Sequence, residues 1–277
     1  MAPESRGAFF DLDRTLIPGS SLFLLARGLY DRDMFRVRDI LRFGWGQVLF
    51  RLQGERTRNM DKSRRSTLEF VAGRKQQDIV DWGREIAEER IIPRVYEDIA
   101  TVIKSHAERG DQTFLVTAAP LELAEVIAAE LSMSGAVATQ AEVDPDGFYT
   151  GRLVGPVVHG ADKAKAVAEI AGERGIALAD SAAYSDSIND LPLLESVGYP
   201  HAVNPEHELR RLALNRGWPI HELRTRRRAL LVGVPAGLGG VGLFASGIAL
   251  GAYLERRRGT ASPVQRARHA ARRLLFF

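Results

Sequence analysis

Short apolar runs separated by segments of helical pattern constrain the fold of this chain more than any other feature. The runs lie at Phe9–Phe10, Thr113–Thr117, Ala182–Ser185 and Tyr199–Val203. Strands that alternate with helices are typical of a parallel sheet covered by helices on both faces. We therefore predict an α/β fold with a doubly wound, Rossmann-like parallel sheet, whose ligands bind at the carboxyl ends of the strands.

The first run ends in two carboxylates, in the sequence Phe9 to Asp13 (FFDLD). Alternation along an extended chain places Asp11 and Asp13 on one face. Two neighbouring carboxylates repel each other unless a cation or a shared proton lies between them. The pair therefore indicates either solvated residues of a turn or a site that holds a cation.

About a hundred residues separate Asp11 from Thr117, whereas a simple crossover between parallel strands needs roughly thirty. Much of this gap has the apolar spacing of helices. We therefore predict a helical cap inserted at residues 20–105, and a core made of residues 1–19 and 106–222. The helical patterns lie at residues 22–30, 40–52, 68–71 and 79–92.

Two further elements are predicted between the second and third runs. Residues 136–143 and 148–154 alternate on either side of a DPDG turn, which indicates a hairpin. A helix is expected from Asp162, as its N-cap, to about Arg174, with its end near Gly175.

Four motifs in order along the chain are similar to those of the haloacid dehalogenase superfamily. They are DLDRT with Asp11, Asp13 and Thr15; Thr117 after a strand; Lys163 at the start of a helix; and SDSIND with Asp186 and Asp190. The inserted cap resembles that of subfamily IB, the phosphoserine-phosphatase-like branch. The resemblance covers residues 8 to about 216 and implies a Mg2+-dependent phosphomonoester hydrolase.

Phosphoryl transfer needs a nucleophile, a divalent cation and a proton donor for the leaving oxygen. Asp11 is the candidate nucleophile, forming an aspartyl-phosphate, and also a metal ligand. Asp13 is the candidate general acid and base. The resemblance implies that the backbone carbonyl of Asp13 also binds the metal and that Asp186 is a side-chain ligand.

The remaining motif residues are expected to support this chemistry. Thr117 and the Ala118 N–H are candidate phosphate donors, and Lys163 provides a fixed positive charge. Asn189 is a further candidate contact to phosphate. Asp190 is expected to bind water on the metal or to orient Lys163, and Thr15 to stabilise the loop.

Substrate identity is the weakest part of the resemblance. Phosphoserine phosphatases carry a Glu nine residues after the nucleophile, where it reads the substrate's amino group, and this chain has Ser20 there. A neutral hydroxyl does not balance an ammonium charge. Phosphoserine therefore remains one option beside sugar, polyol and lipid phosphates.

Composition excludes several classes of function. The chain has no cysteine, which excludes disulfides, thiolate nucleophiles and sulfur-ligated zinc. The net charge of +3 comes from the C-terminal arginines, and residues 1–223 are acidic. We expect no nucleic-acid binding, because the folded part has neither a basic face nor a reading motif.

The C-terminal part indicates a second property. Residues 229–254 carry no charge and are flanked by arginines, and about twenty apolar residues span a bilayer. We predict a transmembrane helix at 229–254, an Arg-rich tail at 255–277 and contact with membrane lipid. Small-xxx-small spacing at Gly233, Gly237, Gly247 and Gly251 suggests a homodimer. A flexible linker or a buried helix is the alternative.

The expected location is the cytoplasmic membrane, with the catalytic part facing the cytoplasm. The N-terminus lacks the basic and apolar segments of a cleavable signal peptide. If the apolar segment does not insert, the protein is expected in the cytoplasm.

Two other functions compete with a phosphatase that acts on a small phosphorylated substrate. A non-catalytic membrane adaptor would not need Asp11, Asp13, Lys163 and Asp186 together. A dehalogenase of the same fold needs one carboxylate in the first motif and no metal, so Asp13 argues against it.

Overall fold

A computed structural model describes residues 5–32 and 71–223 of the chain. Eight strands and seven α-helices are found in these residues. The strands are β1 (Gly7–Phe10), β2 (Gln112–Pro120), β3 (Gly135–Thr139), β4 (Ala141–Val143), β5 (Tyr149–Leu153), β6 (Ala182–Ser185), β7 (Tyr199–Val203) and β8 (Ile220–His221). The helices are α1 (Ser21–Asp31), α2 (Gln76–Ile86), α3 (Glu97–Glu108), α4 (Leu121–Glu130), α5 (Ala161–Arg174), α6 (Leu191–Glu195) and α7 (His207–Arg216).

Six of these strands form one parallel sheet in the order β3-β2-β1-β6-β7-β8. The chain starts at β1, moves outward to β3 and then returns to β6 on the other side of β1. The strand order therefore reverses between β1 and β6, which is where sheets of this kind bind ligands. The predicted doubly wound α/β sheet is confirmed.

The two faces of the sheet are covered by different helices because neighbouring residues of a strand point to opposite sides. Phe10 of β1 belongs to one apolar cluster with Ile99 and Ile103 of α3 and Leu123 of α4. Phe9 belongs to a second cluster on the opposite face, which contains residues of α5, α6 and α7. Both phenylalanines are fully buried, so β1 lies at the centre of the core.

The predicted hairpin is correct only in part. β4 pairs with β5 in the antiparallel sense around the DPDG turn. Residues 135–139 instead form β3, which pairs in parallel with β2 at the edge of the main sheet. The alternation of residues 136–143 fits either partner, and the choice between them depends on β2, which is distant in the sequence.

The N-cap of helix α5 differs from the predicted one. The helix begins at Ala161 with Gly160 as its N-cap, and Asp162 lies in its first turn. The N-cap therefore lies two residues before the predicted one, and Gly160 has a φ of +57°, a conformation that favours glycine. Asp162 pairs with Lys165, and the helix ends at Gly175 as predicted.

The inserted segment contains two described helices. Gly28 of α1 faces Ile86 of α2 so closely that a Cβ on Gly28 would lie 2.7 Å from the Ile86 side chain. A π-helical turn, Ala87–Ile91, follows α2. The predicted patterns at 40–52 and 68–70 lie outside the described residues.

Helix α3 crosses the predicted end of the cap at residue 105 and packs on the sheet. The domain boundaries remain a prediction. The predicted transmembrane helix at 229–254 and the tail at 255–277 also lie outside the described residues. None of the helices in residues 5–32 and 71–223 is both long and apolar enough to cross a membrane.

Candidate active site

The predicted site residues meet at the carboxyl ends of β1, β2 and β6, beside the point where the strand order reverses. Asp11 directly follows β1, Thr117 lies near the end of β2, and Asp186 directly follows β6. Lys163 comes from the first turn of α5. Buried polar side chains are uncommon, and this site gathers seven of them: Asp11, Thr15, Thr117, Lys163, Ser185, Asp186 and Asp190.

Both oxygens of the Asp11 carboxylate accept hydrogen bonds. Lys163 Nζ donates to Asp11 Oδ1 at 2.5 Å, and Thr15 Oγ1 donates to Asp11 Oδ2 at 3.0 Å. These two bonds fix the orientation of the carboxylate. The predicted loop-stabilising role of Thr15 stays a prediction, and its hydroxyl contacts the candidate nucleophile.

Lys163 is held between two carboxylates. Its Nζ also donates to Asp190 Oδ2 at 2.8 Å, and the same oxygen accepts a hydrogen bond from Ser185 Oγ at 2.7 Å. Asp190 lies in a 3-10 turn, Ile188–Asp190, that places it beside α5. Of the two alternatives predicted for Asp190, this contact agrees with the orientation of Lys163.

The charges of this buried group depend on one another. Burial raises the pKa of Asp11 to about 6, although the neighbouring Lys163 charge acts in the opposite direction. Burial alone would lower the pKa of Lys163, but the charges of Asp11 and Asp190 more than offset this and raise it. These charges therefore keep Lys163 protonated at neutral pH, in contact with both carboxylates.

Asp13 lies on the side of the site that faces helix α1. Its Oδ1 accepts a hydrogen bond of 2.7 Å from the backbone N–H of Ser21, the first residue of α1. The charge of Asp13 adds to the raised pKa of Asp11, after burial and the charge of Asp190. The side chain is only half-buried, which suits a group that exchanges protons with a bound substrate.

Asp186 is a buried carboxylate whose surroundings fit a metal ligand. Burial, followed by the charge of Asp11, raises the pKa of Asp186 to about 7. Its Oδ2 is buried and has no hydrogen-bond partner in the described part of the chain. Carboxylate and carbonyl oxygens are the ligands that Mg2+ prefers, so Asp11, Asp186 and the Asp13 carbonyl fit this ion chemically.

Within residues 5–32 and 71–223, no cluster of three or more His, Cys, Asp or Glu side chains is arranged to hold a metal ion. The predicted set differs from such a group, because it has two carboxylates and one backbone carbonyl. Mg2+ commonly keeps several waters and uses only one or two protein carboxylates.

Of the predicted phosphate-binding groups, Thr117 and Lys163 are buried, whereas Ala118 and Asn189 lie at the exposed rim. The Thr117 hydroxyl accepts a bond of 3.1 Å from the Ala119 N–H and keeps its own proton to donate. Ala118 is exposed, at a point where the register between β2 and β3 shifts. Asn189 is exposed, and its carbonyl lies near Gly160, at the start of α5.

The contacts or burial of three residues at the site were not predicted from the sequence. Ser185 binds Asp190, Arg14 approaches Asp186, and Ser20 has a buried Oγ without a hydrogen-bond partner among the described residues. Ser185 could have been found from its place between a strand and Asp186. The contact of Arg14 and the burial of Ser20 Oγ depend on loop conformation, which has no local sequence signal.

Comparisons with known proteins agree with this geometry. The model of the family described as haloacid dehalogenase-like hydrolase matches residues 8–195. Phosphoserine phosphatase SerB1 of Mycobacterium tuberculosis is 43% identical, over 91% of this chain and 80% of its own length. The inhibition of morphological differentiation protein of Streptomyces azureus is 35% identical, over 91% of this chain and 94% of its own.

A solved structure also resembles the fold. A protein of unknown function from Bordetella pertussis Tohama I matches with a TM-score of 0.71 and 30% identity. The match covers 79% of this chain and 99% of the other.

Proposed function

Because this chain belongs to the haloacid dehalogenase-like hydrolase family and is a phosphatase, we propose that it hydrolyses small phosphomonoesters through a phosphate ester of Asp11, with Mg2+. The observation that carries the proposal is the buried arrangement of Asp11, Lys163 and Asp190. Lys163 holds one oxygen of Asp11 and is itself held by Asp190. A carboxylate oriented in this way at the carboxyl end of a central strand is suited to attack a bound phosphate.

The first step forms the bond between an Asp11 oxygen and phosphorus and breaks the bond between phosphorus and the ester oxygen. Asp13 gives its proton to the departing alkoxide. In the second step Asp13 accepts a proton from water as the water oxygen attacks the same phosphorus. Phosphate then leaves, and Asp11 returns to a carboxylate.

The other groups stabilise the charge on the phosphoryl oxygens. Lys163 provides a positive charge, and Thr117 and the Ala118 N–H provide donors. Asn189 is a further donor at the rim. When bound by Asp11, Asp186 and the Asp13 carbonyl, Mg2+ supplies charge neutralisation for the phosphate and the carboxylates.

Asp11→Asn tests the catalytic part of this proposal. The substitution removes the attacking carboxylate with little change in volume, so turnover should fall to background while the fold persists. Circular dichroism and the melting temperature provide the control for folding. Activity above background in a well-folded Asp11→Asn protein would contradict the aspartyl-phosphate mechanism, and a wild-type protein inactive on every phosphate ester would favour an adaptor.

The substrate is proposed from two opposing observations. One relative at 43% identity is named a phosphoserine phosphatase, whereas this chain has neutral Ser20 where the resemblance implies a Glu. We propose a small phosphomonoester whose recognition does not depend on an ammonium group. Phosphoserine fits this description through its phosphate and carboxylate.

A comparison of matched substrates tests this point. Phosphoserine, its analogue without the amino group, sugar phosphates and lipid phosphates are assayed with and without Mg2+. We expect similar kcat/KM for phosphoserine and its analogue, and a preference for phosphoserine in Ser20→Glu. A strong preference for phosphoserine in the wild-type protein would contradict the proposed role of Ser20.

Membrane attachment is proposed from the sequence alone. The apolar residues 229–254 are long enough to span a bilayer, with the catalytic part in the cytoplasm. Hydrophobic insertion is not screened by ions, so attachment should survive high salt and carbonate washing. Release by salt would indicate binding of lipid by arginines, and full-length protein in the soluble fraction at low salt would refute the proposal.

A further inference from the structure

Arg14 lies between two residues of the catalytic loop and reaches Asp186. Its Nη1 is 3.1 Å from Asp186 Oδ2. The carboxylate side chain is 5% exposed and the guanidinium side chain is 42% exposed. A positive charge from the rim therefore reaches a carboxylate in the floor of the site.

The backbone of Arg14 has an unusual conformation. Its φ is +66°, a value that residues with a side chain rarely adopt. The Arg14 carbonyl accepts a bond of 3.3 Å from Asn204 Nδ2, and Asn204 Oδ1 accepts one of 2.8 Å from the Leu223 N–H. A strained residue held by its surroundings at an active site points to a function for its position.

Arg14 and Asp186 form an ion pair, but their geometry does not make a hydrogen bond. Although the two atoms are close, Asp186 Oδ2 has no hydrogen-bond partner among the described residues. A buried carboxylate needs a counter-charge, and here it has one that is partly hydrated. Such a partner can leave at a smaller cost in desolvation than a buried one.

We propose that the Arg14 guanidinium is the counter-charge of Asp186 when no metal is bound, and that it competes with the divalent cation for this carboxylate. The proposal rests on the proposed function, in which Asp186 is a metal ligand. The guanidinium contacts this carboxylate, and a bound cation would need its negative charge as well. Arg14 is therefore a positioning residue that lowers the affinity for the metal and stabilises the metal-free protein.

The two effects have opposite signs and are thermodynamically linked. Any free energy that Arg14 contributes to the metal-free state must be given up when the cation binds. Removal of the guanidinium should therefore weaken the metal-free fold and strengthen metal binding. A residue with a purely structural role would weaken the fold without increasing the metal affinity.

The test compares wild-type protein with Arg14→Gln, Arg14→Lys and the control Arg27→Gln. Gln retains a backbone with a side chain at φ +66°, and Lys retains the charge. Arg27 pairs with Asp31 on the exposed surface of α1, so its replacement controls for the loss of one arginine. Titration calorimetry measures the Mg2+ dissociation constant, and thermal unfolding in a chelator measures the metal-free stability.

We expect Arg14→Gln to bind Mg2+ roughly three- to tenfold more tightly, as for loss of an ion pair worth about 1 kcal/mol. Its melting temperature in chelator should fall below that of the wild-type protein. Arg14→Lys should lie nearer the wild-type protein in both measurements, and Arg27→Gln should match it in Mg2+ affinity.

Unchanged or weaker Mg2+ binding by Arg14→Gln would overturn the competition while leaving the proposed phosphatase mechanism intact. If wild-type protein and Arg14→Gln both fail to bind Mg2+, the competition and the metal part of the proposed function fail together. Should Arg14→Gln not fold, Arg14→Gly, which accepts a φ of +66° and carries no charge, takes its place, and unchanged or weaker Mg2+ binding by Arg14→Gly would also overturn the competition.

Discussion

Acidification should destabilise this protein through His201, and replacement of His201 by Phe should remove part of that dependence. The imidazole stacks on Tyr184 with ring centroids 4.5 Å apart, and its Nδ1 lies 3.0 Å from Nε2 of His221. Tyr184 in turn stacks on Phe10 and shares a hydrogen bond of 2.8 Å with His106 Nε2. Three imidazoles and a phenol are therefore packed on one face of the sheet.

The sign of the effect follows from the neutral state of the ring in the folded protein. Burial, and then the neighbouring His221, lowers the pKa of His201 from 6.5 to about 4. The unfolded chain takes up its proton near pH 6.5, whereas the folded protein does so only near pH 4. The free energy of unfolding therefore falls as the pH decreases from 6.5 towards 4.

The magnitude can be worked out from these two pKa values. A pKa difference of one corresponds to about 1.4 kcal/mol, so the difference between 6.5 and about 4 corresponds to about 3 kcal/mol of unfolding free energy. The ring is partly exposed to solvent, which reduces this to about 2 kcal/mol. Burial also lowers the pKa values of His106 and His221, which adds to the loss in acid.

Other groups titrate in the same range, so the assay uses a difference between two proteins. Asp11 and Asp186 have raised pKa values and act in the opposite direction, since they favour the folded state as they gain protons. Their contributions, and that of Asp111 beside His106, cancel when wild-type protein is compared with His201→Phe. Phe at position 201 keeps an aromatic ring that can stack on Tyr184, and aromatic residues are common in strands.

Urea unfolding followed by tryptophan fluorescence gives the free energy of unfolding at pH 8 and pH 4.5. Relative to the wild-type protein, His201→Phe should gain about 2 kcal/mol between these two pH values. His207 is exposed on α7, so His207→Phe should show no such gain. A difference between wild-type protein and His201→Phe that does not change with pH would refute the reasoning.

Three further substitutions test other parts of the account. Lys163→Met leaves the buried carboxylates of Asp11 and Asp190 without their counter-charge and should cost about 3–5 kcal/mol of unfolding free energy at pH 8. The loss should be smaller at pH 5, because the pKa of Asp11 is raised and this carboxylate gains a proton; urea unfolding at both pH values tests this. Asp13→Asn should lose less activity on p-nitrophenyl phosphate than on an alkyl phosphate, because a good leaving group needs less protonation, and equal losses would argue against an acid role. Gly198→Ala places a Cβ 1.7 Å from the Ala179 carbonyl oxygen and should lower the unfolding free energy by about 2–3 kcal/mol, whereas an unchanged urea midpoint would show that the backbone adapts freely.

The strands of the sheet could be predicted where an apolar run in the sequence corresponds to a strand buried between helices. The β6 and β7 strands have the predicted bounds, because short apolar runs between helices form buried parallel strands. The error at residues 135–139 arose because alternation does not identify the partner of a strand. That partner, β2, is set by packing against helix α4, which connects the two strands.

The positions of the site residues could be predicted where these residues follow the carboxyl ends of strands. Asp11, Lys163 and Asp190 come together as motif order implied, because parallel strands bring their carboxyl ends to one edge. The ion pair of Arg14 with Asp186 and the burial of Ser20 Oγ could not be predicted from the sequence. They depend on a positive φ and on the burial of single atoms, and neither leaves a pattern in the neighbouring residues.

The central claim is that Asp11 becomes covalently bound to phosphate during turnover. The most direct measurement is to quench the wild-type protein with borohydride during hydrolysis of a phosphate ester and to analyse its peptides by mass spectrometry. Borohydride reduces an acyl phosphate to an alcohol, so the account predicts homoserine at position 11 only when substrate is present. An unmodified Asp11 in an enzyme that is turning over, or reduction at a different carboxylate, would contradict it.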